Sequence, residues 1–499
     1  MKNNRARLPL INLGASGIKN IVTMAVGLLV TPYLIRTIGD SNFGLYKTLI
    51  EFFGHFSILE FGLYSTLLGL LIKESAVQSN KIASIVKWGI KSYKKVATIS
   101  VAVSLLFSIW FYYQFSSTTG HVDLIVALLL SQLLFLVIPF HPYKALLEAY
   151  HKNYIVNWLS LLNSLLYTSM ALIVSRFYPS LSGQVLATVI ALYVSSRLCK
   201  TIVNIDLNNA EFDTTEHVVQ KKLRLSYFLN ELSGRVCLML DNLVIAIFMG
   251  PRFVVPFFIT QKLPQLIQTQ LLNIGNSTWS TLGVIYHNND IQLFSKRMMD
   301  LTKITAVFGS ALLLCIYVFN HSFIRLWIGE KEYAGHLFTM VACLNAYFLP
   351  ILSLWGWSFN YSQLVEKISP VMWAQASVNI VFSIALTKYL GVLGPITGSL
   401  VTYVFVTLIW LSILMKKYFQ IPLLKLHLSW FLPLALASVT GYVINLNCIY
   451  FDVNNWGAFF IKGMLLGFFY LTISSLIFFS KVELLELLDR VQKVFKRKS

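Results

Sequence analysis

The sequence predicts an all-α polytopic membrane protein of about 14 transmembrane helices, built as two six-helix lobes with two extra C-terminal helices. Three observations predict it. The 499 residues are 56% hydrophobic and only 12% charged, against roughly 25% charged in ordinary soluble domains. Fourteen apolar stretches each approach the roughly 20 residues that a spanning helix needs. The basic residues also alternate between the segments that join these stretches. With 40 Lys+Arg against 21 Asp+Glu the formal net charge is +19. A nucleic-acid binder with that excess would be richer in charge, not poorer, so no nucleic-acid partner is expected. Hydrophobicity excludes a disordered chain, and five cysteines in so long a chain exclude a disulfide scaffold.

The spans fall at about 10–35, 43–72, 96–115, 122–140, 154–175, 183–203, 225–249, 253–285, 303–320, 336–361, 368–387, 392–415, 428–447 and 456–480. An even number returns both termini to one side. With the N terminus inside, the inner segments hold 29 of the 40 Lys+Arg, while the outer loops hold only Arg36, Arg176, Arg252, Arg325, Lys331 and Lys388. The positive-inside rule then predicts two cytoplasmic termini. The first span lacks a small-residue cleavage site and is too long for a signal h-region, so it reads as a retained helix. The outer loops are too short for the external domain that a polymerase or ligase of exported sugars needs.

Little else in the chain suggests catalysis. Cys199, Cys237, Cys315, Cys343 and Cys448 lie in or beside spans with no CxxC pair, and read as small buried hydrophobes. Gly14-Ala15-Ser16-Gly17 lacks the GK[ST] of a phosphate loop, and Asn276-Ser277-Thr278 falls inside the eighth span. No HExxH or clustered His/Asp set suggests a metal. No cofactor is expected, and nothing here reads as an enzyme.

Candidate functional residues come from charge inside the membrane, where an ionisable side chain costs roughly 2.5–3.5 kcal/mol on insertion scales and usually faces protein or water. Apart from histidines and residues at span edges, such as Asp123 and Lys303, nine lie within spans: Lys19, Lys47, Glu51, Glu60, Glu231, Arg235, Asp241, Lys262 and Lys462. All but Lys462 lie in spans 1, 2, 7 and 8, which predicts that these four helices line a polar interior. Lys47 and Glu51, like Glu231 and Arg235, are spaced i,i+4 and can neutralise one another on one helix face. Glu60 is half a turn of azimuth from Glu51 on an ideal helix. Either that helix bends or Glu60 has another partner, for which Lys19 is the expected one. Each pair can equally be a buried ion pair that fixes packing, or part of a substrate or ion site. Span 8 adds Gln261, Lys262, Gln265, Gln268, Gln270, Asn273 and Asn276, with Pro256 and Pro264. Gln261, Gln265 and Gln268 share a face, which suits either a wet cavity or interhelical hydrogen bonding. The prolines, like Pro32 in span 1, suit bending helices.

A weak internal repeat supports the lobes. Sliding the chain by 211 residues superposes Gly39 on Gly250, Tyr46 on Phe257 and Glu51 on Lys262. Six spans apart, the two copies share an orientation. The expected division is 1–204 for the first lobe, 205–224 for a cytoplasmic linker, 225–418 for the second lobe, and 419–499 for an accessory helix pair and basic tail.

The run from Ser16-Gly17 through Pro32-Tyr33-Leu34-Ile35-Arg36-Thr37-Ile38-Gly39, then Phe43-Gly44-Leu45-Tyr46 and Leu59-Glu60-Phe61-Gly62-Leu63, resembles the polysaccharide flippase family. That family belongs to the multidrug/oligosaccharidyl-lipid/polysaccharide (MOP) exporter superfamily. Leu240-Asp241-Asn242, Met249-Gly250 and Val255-Pro256-Phe257-Phe258 look like the start of its second lobe. The resemblance covers roughly 12–75 and 225–270, and its motifs distinguish substrates poorly.

The resemblance implies a MATE-like fold in the bacterial inner membrane. It implies a flippase that carries undecaprenyl-diphosphate-linked oligosaccharide, such as an O-antigen or capsule repeat unit, to the outer leaflet by alternating access around a central cavity. Coupling to a proton or sodium gradient, and partnership with a polysaccharide polymerase and chain-length regulator, are options it leaves open. Lys19, Arg235 and Lys262 are then candidate diphosphate partners, Arg36 and Arg252 candidate headgroup partners outside, and Gln261 and Gln265 candidate glycan contacts. Glu51, Glu60, Glu231 and Asp241 are candidates for ion coupling, because burial raises a carboxylate's affinity for a proton. Family members often have a cationic cavity, whereas the eight clustered groups here balance, which departs from a simple trap for an anionic substrate. Two alternatives are a MATE-like multidrug/cation antiporter and a flippase of peptidoglycan lipid precursors; a non-transporting assembly subunit is a third.

Overall fold

A computed structural model of the chain describes residues 8–54, 59–60, 62–77, 81–150, 152–203, 241–288, 290–362, 364–446, 453–481 and 483. No strand occurs among them. The expected linker at 205–224, most of the seventh span, and Glu231 and Arg235 lie outside the described residues. Ten helical runs are long and apolar enough to cross a membrane by length and composition. One of these, 365–419, contains two of the fourteen predicted spans. The remaining three are the broken second span, the largely undescribed seventh, and the glutamine-rich eighth, which is too polar to count.

The chain divides into two compact units, residues 1–255 and 256–499. The first opens with α1 (Leu8–Ile38). The second predicted span is not one helix but two, α2 (Asp40–Gly54) and α3 (Leu63–Val77), with a short 3-10 turn at Leu59–Glu60 between them. Gly62, at φ +68°, precedes α3, a backbone conformation that glycine adopts without steric cost and that ends helical continuity. α4 (Ile82–Phe115) follows. The fourth span runs past its predicted end: α5 (His121–Gln132) tightens into a 3-10 stretch, Leu133–Phe140, and resumes as α6 (His141–Ala149). Pro139 lies inside the 3-10 stretch and Pro142 at the start of α6, where missing N–H groups disrupt an α-helix interior but suit a first turn.

α7 (Asn153–Phe177) and α8 (Leu181–Val203) complete the long helices of this unit. α7 packs on both α1 and α8. Asp123 of α5 accepts hydrogen bonds from Leu181 N at 2.9 Å and Ser182 N at 3.0 Å. It thereby caps the first turn of α8, whose N–H groups have no helical partner of their own. The unit ends with α9 (Asp241–Phe248) and a 3-10 turn at Pro251–Phe253, both packed on α2.

The second unit comprises α10 (Val254–His287), α11 (Ile291–Trp327), α12 (His336–Tyr361), α13 (Val365–Leu390), α14 (Gly394–Thr402) and α15 (Ile409–Phe419), then α16 (Leu423–Leu446) and α17 (Trp456–Phe478). A π-turn at Tyr403–Leu408 joins α14 to α15. Gly398 lets α13 and α14 approach closely: a Cβ there would lie 2.7 Å from Ser383 N. The core gathers around Trp355, Phe359, Phe294 and Phe419, with Trp355 Nε1 donating to Thr302 at 3.0 Å. α16 and α17, the accessory pair, pack on α11. Tyr470 of α17 donates to Pro433 O at 3.0 Å, bonding the pair to each other.

Candidate functional site

Four of the motif residues explain the packing of α2. Gly39 (φ +80°) and Gly250 (φ +100°), the two glycines matched by the repeat, both adopt the left-handed backbone region. Each ends one helix and turns the chain into the next. Gly44 faces the Pro251 turn so closely that a Cβ would lie 2.7 Å from the Pro251 carbonyl carbon. Tyr46 is buried, hydrogen-bonds Thr188 of α8 through its hydroxyl at 2.9 Å, and stacks on Tyr167 of α7.

This close packing brings α9 against the charged part of α2. Asn242 is buried and its amide Nδ2 donates to Glu51 Oε2, while Asp241 is within electrostatic reach of Glu51. Asp241 Oδ1 and Asn242 Oδ1 are both buried without a hydrogen-bond partner among the described residues. The result is a group of oxygen acceptors with two carboxylates. Such a group attracts a proton or a small cation and repels phosphate. Lys47, one turn before Glu51, lies over the rings of Phe43 and Tyr46, at 5.5 and 5.8 Å.

Glu60 does not pair with Lys19. Its Oε1 is 3.0 Å from His141 Nδ1, and its Oε2 accepts from the Tyr93 hydroxyl at 3.0 Å. The break between α2 and α3 frees the segment from the azimuth of a continuous helix, and Glu60 is drawn to α4 and α6. Both partners were missed because histidine was set aside among the intramembrane ionisable groups, and no spacing rule links residues this far apart. Lys19 is half-buried, with no ion-pair or hydrogen-bond partner among the described residues. It also lies 17 residues, or about 26 Å of helix, from Arg36, so the two cannot serve one phosphate together.

In the second unit, Gln265 Nε2 donates to Gln261 Oε1 at 2.6 Å, so the i,i+4 glutamine face predicted from spacing is present on α10. Gln261 is buried and Gln265 exposed. Lys262, half-buried, stands over the Phe258 ring at 5.0 Å. Arg36 and Arg252 are exposed, the latter over Phe253 at 5.3 Å. Among the described residues no group of three or more His, Cys, Asp or Glu side chains is placed to hold a metal ion.

No family model matches the chain, and no curated protein matches it in sequence. Solved structures do match its shape. The lipid II flippase MurJ, in an inward closed conformation, aligns over 94% of this chain and 98% of its own, with a TM-score of 0.71 at 15% identity. An inward-facing multidrug resistance MATE transporter of the MOP superfamily aligns over 82% of this chain and 99% of its own, at 0.59 and 15%. A MOP-superfamily transporter from Pyrococcus furiosus, described as having a binding pocket of reversed polarity, aligns over 87% and 96%, at 0.53 and 13%. Apolar helices and architecture together define a multi-pass membrane protein with the fold of MOP-superfamily transporters.

Proposed function

We propose that the chain is a flippase that moves undecaprenyl-diphosphate-linked oligosaccharide repeat units across the bacterial inner membrane for surface polysaccharide synthesis. The observation that carries this reading is the fold match along nearly the whole chain to a flippase of a lipid-linked precursor, taken with the polysaccharide-flippase motifs around Gly44 and Asp241. Both termini are cytoplasmic in this reading, as the basic inner segments require. Transport is by alternating access, with Glu51 and Asp241 holding the coupling proton or cation. Lys19, Arg235 and Lys262 meet the diphosphate, Arg36 and Arg252 receive the headgroup outside, and Gln261 and Gln265 contact the glycan. Glu231 and Glu60 are further carboxylates for coupling, Glu60 through its contact with His141.

Deleting the gene is expected to cause undecaprenyl-linked repeat units to accumulate with the glycan facing the cytoplasm. Normal surface glycan and unchanged intermediates would refute the proposal. The same fold match favours one other reading, a flippase of peptidoglycan lipid precursors. Rescue of a strain depleted of that activity would establish it.

Residue roles separate in a second measurement. Lys262→Gln is expected to lower transport at least tenfold while the protein's abundance in the membrane holds, since losing one charge-assisted hydrogen bond to phosphate costs roughly 1.5–3 kcal/mol. Unchanged transport would remove Lys262 from the site. Loss of the protein itself would make its role structural.

A further inference from the structure

The first unit contains a pocket that the transport reading touches only through His141. It lies between the 3-10/α6 segment, the start of α7 and the end of α8, and has a volume of about 220 Å³. Residues 156, 159, 160 and 163 of α7 and 192, 195, 196 and 199 of α8 each contribute one helical face to it. His141, Lys144, Ser160, Asn163, Ser195 and Ser196 supply the polar groups; aliphatic and aromatic side chains supply the rest. The same end of the unit holds Asn12 of α1, whose Oδ1 accepts from Tyr154 N at 2.7 Å.

The charges favour an anion. His141 is held by Glu60. Lys144 is half-exposed, with Glu148 4.0 Å away, at the outer limit of an ion pair, and the Tyr64 ring at 5.7 Å. Neither neighbour makes the short contact of about 2.8 Å that a phosphate oxygen offers an ammonium group. Lys152, at the start of α7, and Arg197 and Lys200, at the end of α8, add positive charge to the same helix ends. The pocket also has an unmet requirement of the opposite kind. Asn163 Oδ1 is buried with no hydrogen-bond partner among the described residues, and a buried acceptor without a donor costs about 1–3 kcal/mol.

We propose that this pocket binds the headgroup of an anionic membrane phospholipid that carries a hydroxyl group. Lys144 and the Ser196 hydroxyl meet the phosphate, since Ser160 and Ser195 already donate to the carbonyls of Val156 and Leu192, and a headgroup hydroxyl donates to Asn163 Oδ1. The apolar walls take the adjoining glycerol backbone and chain. Phosphatidylglycerol has this chemistry, phosphatidic acid has the phosphate without the hydroxyl, and phosphatidylcholine has neither net charge nor a donor. The volume is below the 300–1,000 Å³ of sites for drug-sized ligands, so it fits a phosphoglycerol group and not an oligosaccharide diphosphate. Basic pockets between helices at a membrane surface are suited to such headgroups. The site is independent of which molecule the protein transports.

The full-length protein would be purified from phosphatidylcholine nanodiscs doped with phosphatidylglycerol or phosphatidic acid, and retained lipid measured by native mass spectrometry. Wild type is expected to retain phosphatidylglycerol over phosphatidic acid, and both over phosphatidylcholine. Lys144→Gln should lower phosphatidylglycerol retention about fivefold, the effect of one basic residue at an anionic lipid. Lys144→Arg should preserve it, which separates charge from folding. Asn163→Ala should abolish the preference for phosphatidylglycerol over phosphatidic acid and leave binding of both. Equal retention by wild type and Lys144→Gln, or loss in Lys144→Arg as well, would overturn the proposal. So would displacement of the lipid by inorganic phosphate, which would assign the pocket to a free anion.

Discussion

Gly44→Val is expected to leave little folded protein in the membrane, and Gly44→Ala to lower the melting temperature of what remains. The physical cause is a backbone contact. A Cβ at position 44 would lie 2.7 Å from the Pro251 carbonyl carbon and 3.4 Å from the Val254 Cβ. A flexible side chain could move aside at small cost, but the Pro251 turn is fixed by its ring and by Gly250 at φ +100°. Overpacking of this kind costs about 1–3 kcal/mol or more, with alanine at the lower end and valine beyond it. Gly27→Ala is the matched control, since a Cβ there meets nothing within 4 Å and alanine favours a helix over glycine by up to about 1 kcal/mol. Thermal unfolding of the purified variants checks the pair. If Gly44→Ala melted with Gly27→Ala, the close approach would have no energetic weight.

Gly44 also shows what kind of information the sequence carried. Its place in the Phe43-Gly44-Leu45-Tyr46 run was legible as part of a resemblance, but its reason was not, because the atom it accommodates belongs to a turn far along the chain. The pairing of Gln261 with Gln265 on α10 was legible: i,i+4 proximity follows from helix geometry alone, and the two are bonded as that geometry allows. The helix count followed from hydropathy, because burial of backbone groups in lipid leaves a helix as the way to satisfy them.

The break in the second span was not legible. Gly54 and Gly62 sit in an apolar run, and hydropathy cannot distinguish a helical glycine from one at φ +68°. The partners of buried charges were also beyond reach. Glu51 meets Asn242, and Glu60 meets His141 and Tyr93, through tertiary packing that no local period encodes. The serines and asparagine of the pocket beside Lys144 read in the sequence as ordinary small polar residues in apolar helices. They became a site only when α7 and α8 placed their faces together.

Glu60→Ala carries the other large expected effect, and it tests the corrected pairing. Glu60 is buried and both of its oxygens are engaged, one by His141 and one by Tyr93. It therefore bonds the short turn between α2 and α3 to α4 and α6. Removing the carboxylate costs about 1.5–3 kcal/mol for each of the two hydrogen bonds lost, because their donors are left unpaired. His141 is 31% exposed at its side chain and recovers part of its hydration, which places the expected loss near the lower end, about 3 kcal/mol. Glu60→Gln should lose less, since a carbonyl oxygen still accepts from Tyr93. The double variant Glu60→Ala/His141→Ala should be more stable than the sum of the single losses predicts, as contacting residues are coupled. Lys19→Ala, by contrast, should add independently to Glu60→Ala. Coupling with Lys19 and additivity with His141 would restore the pairing expected from helix azimuth and set aside the one in the structure. If the predicted pattern holds, Glu60 is a fastener of the broken second span before it is anything else.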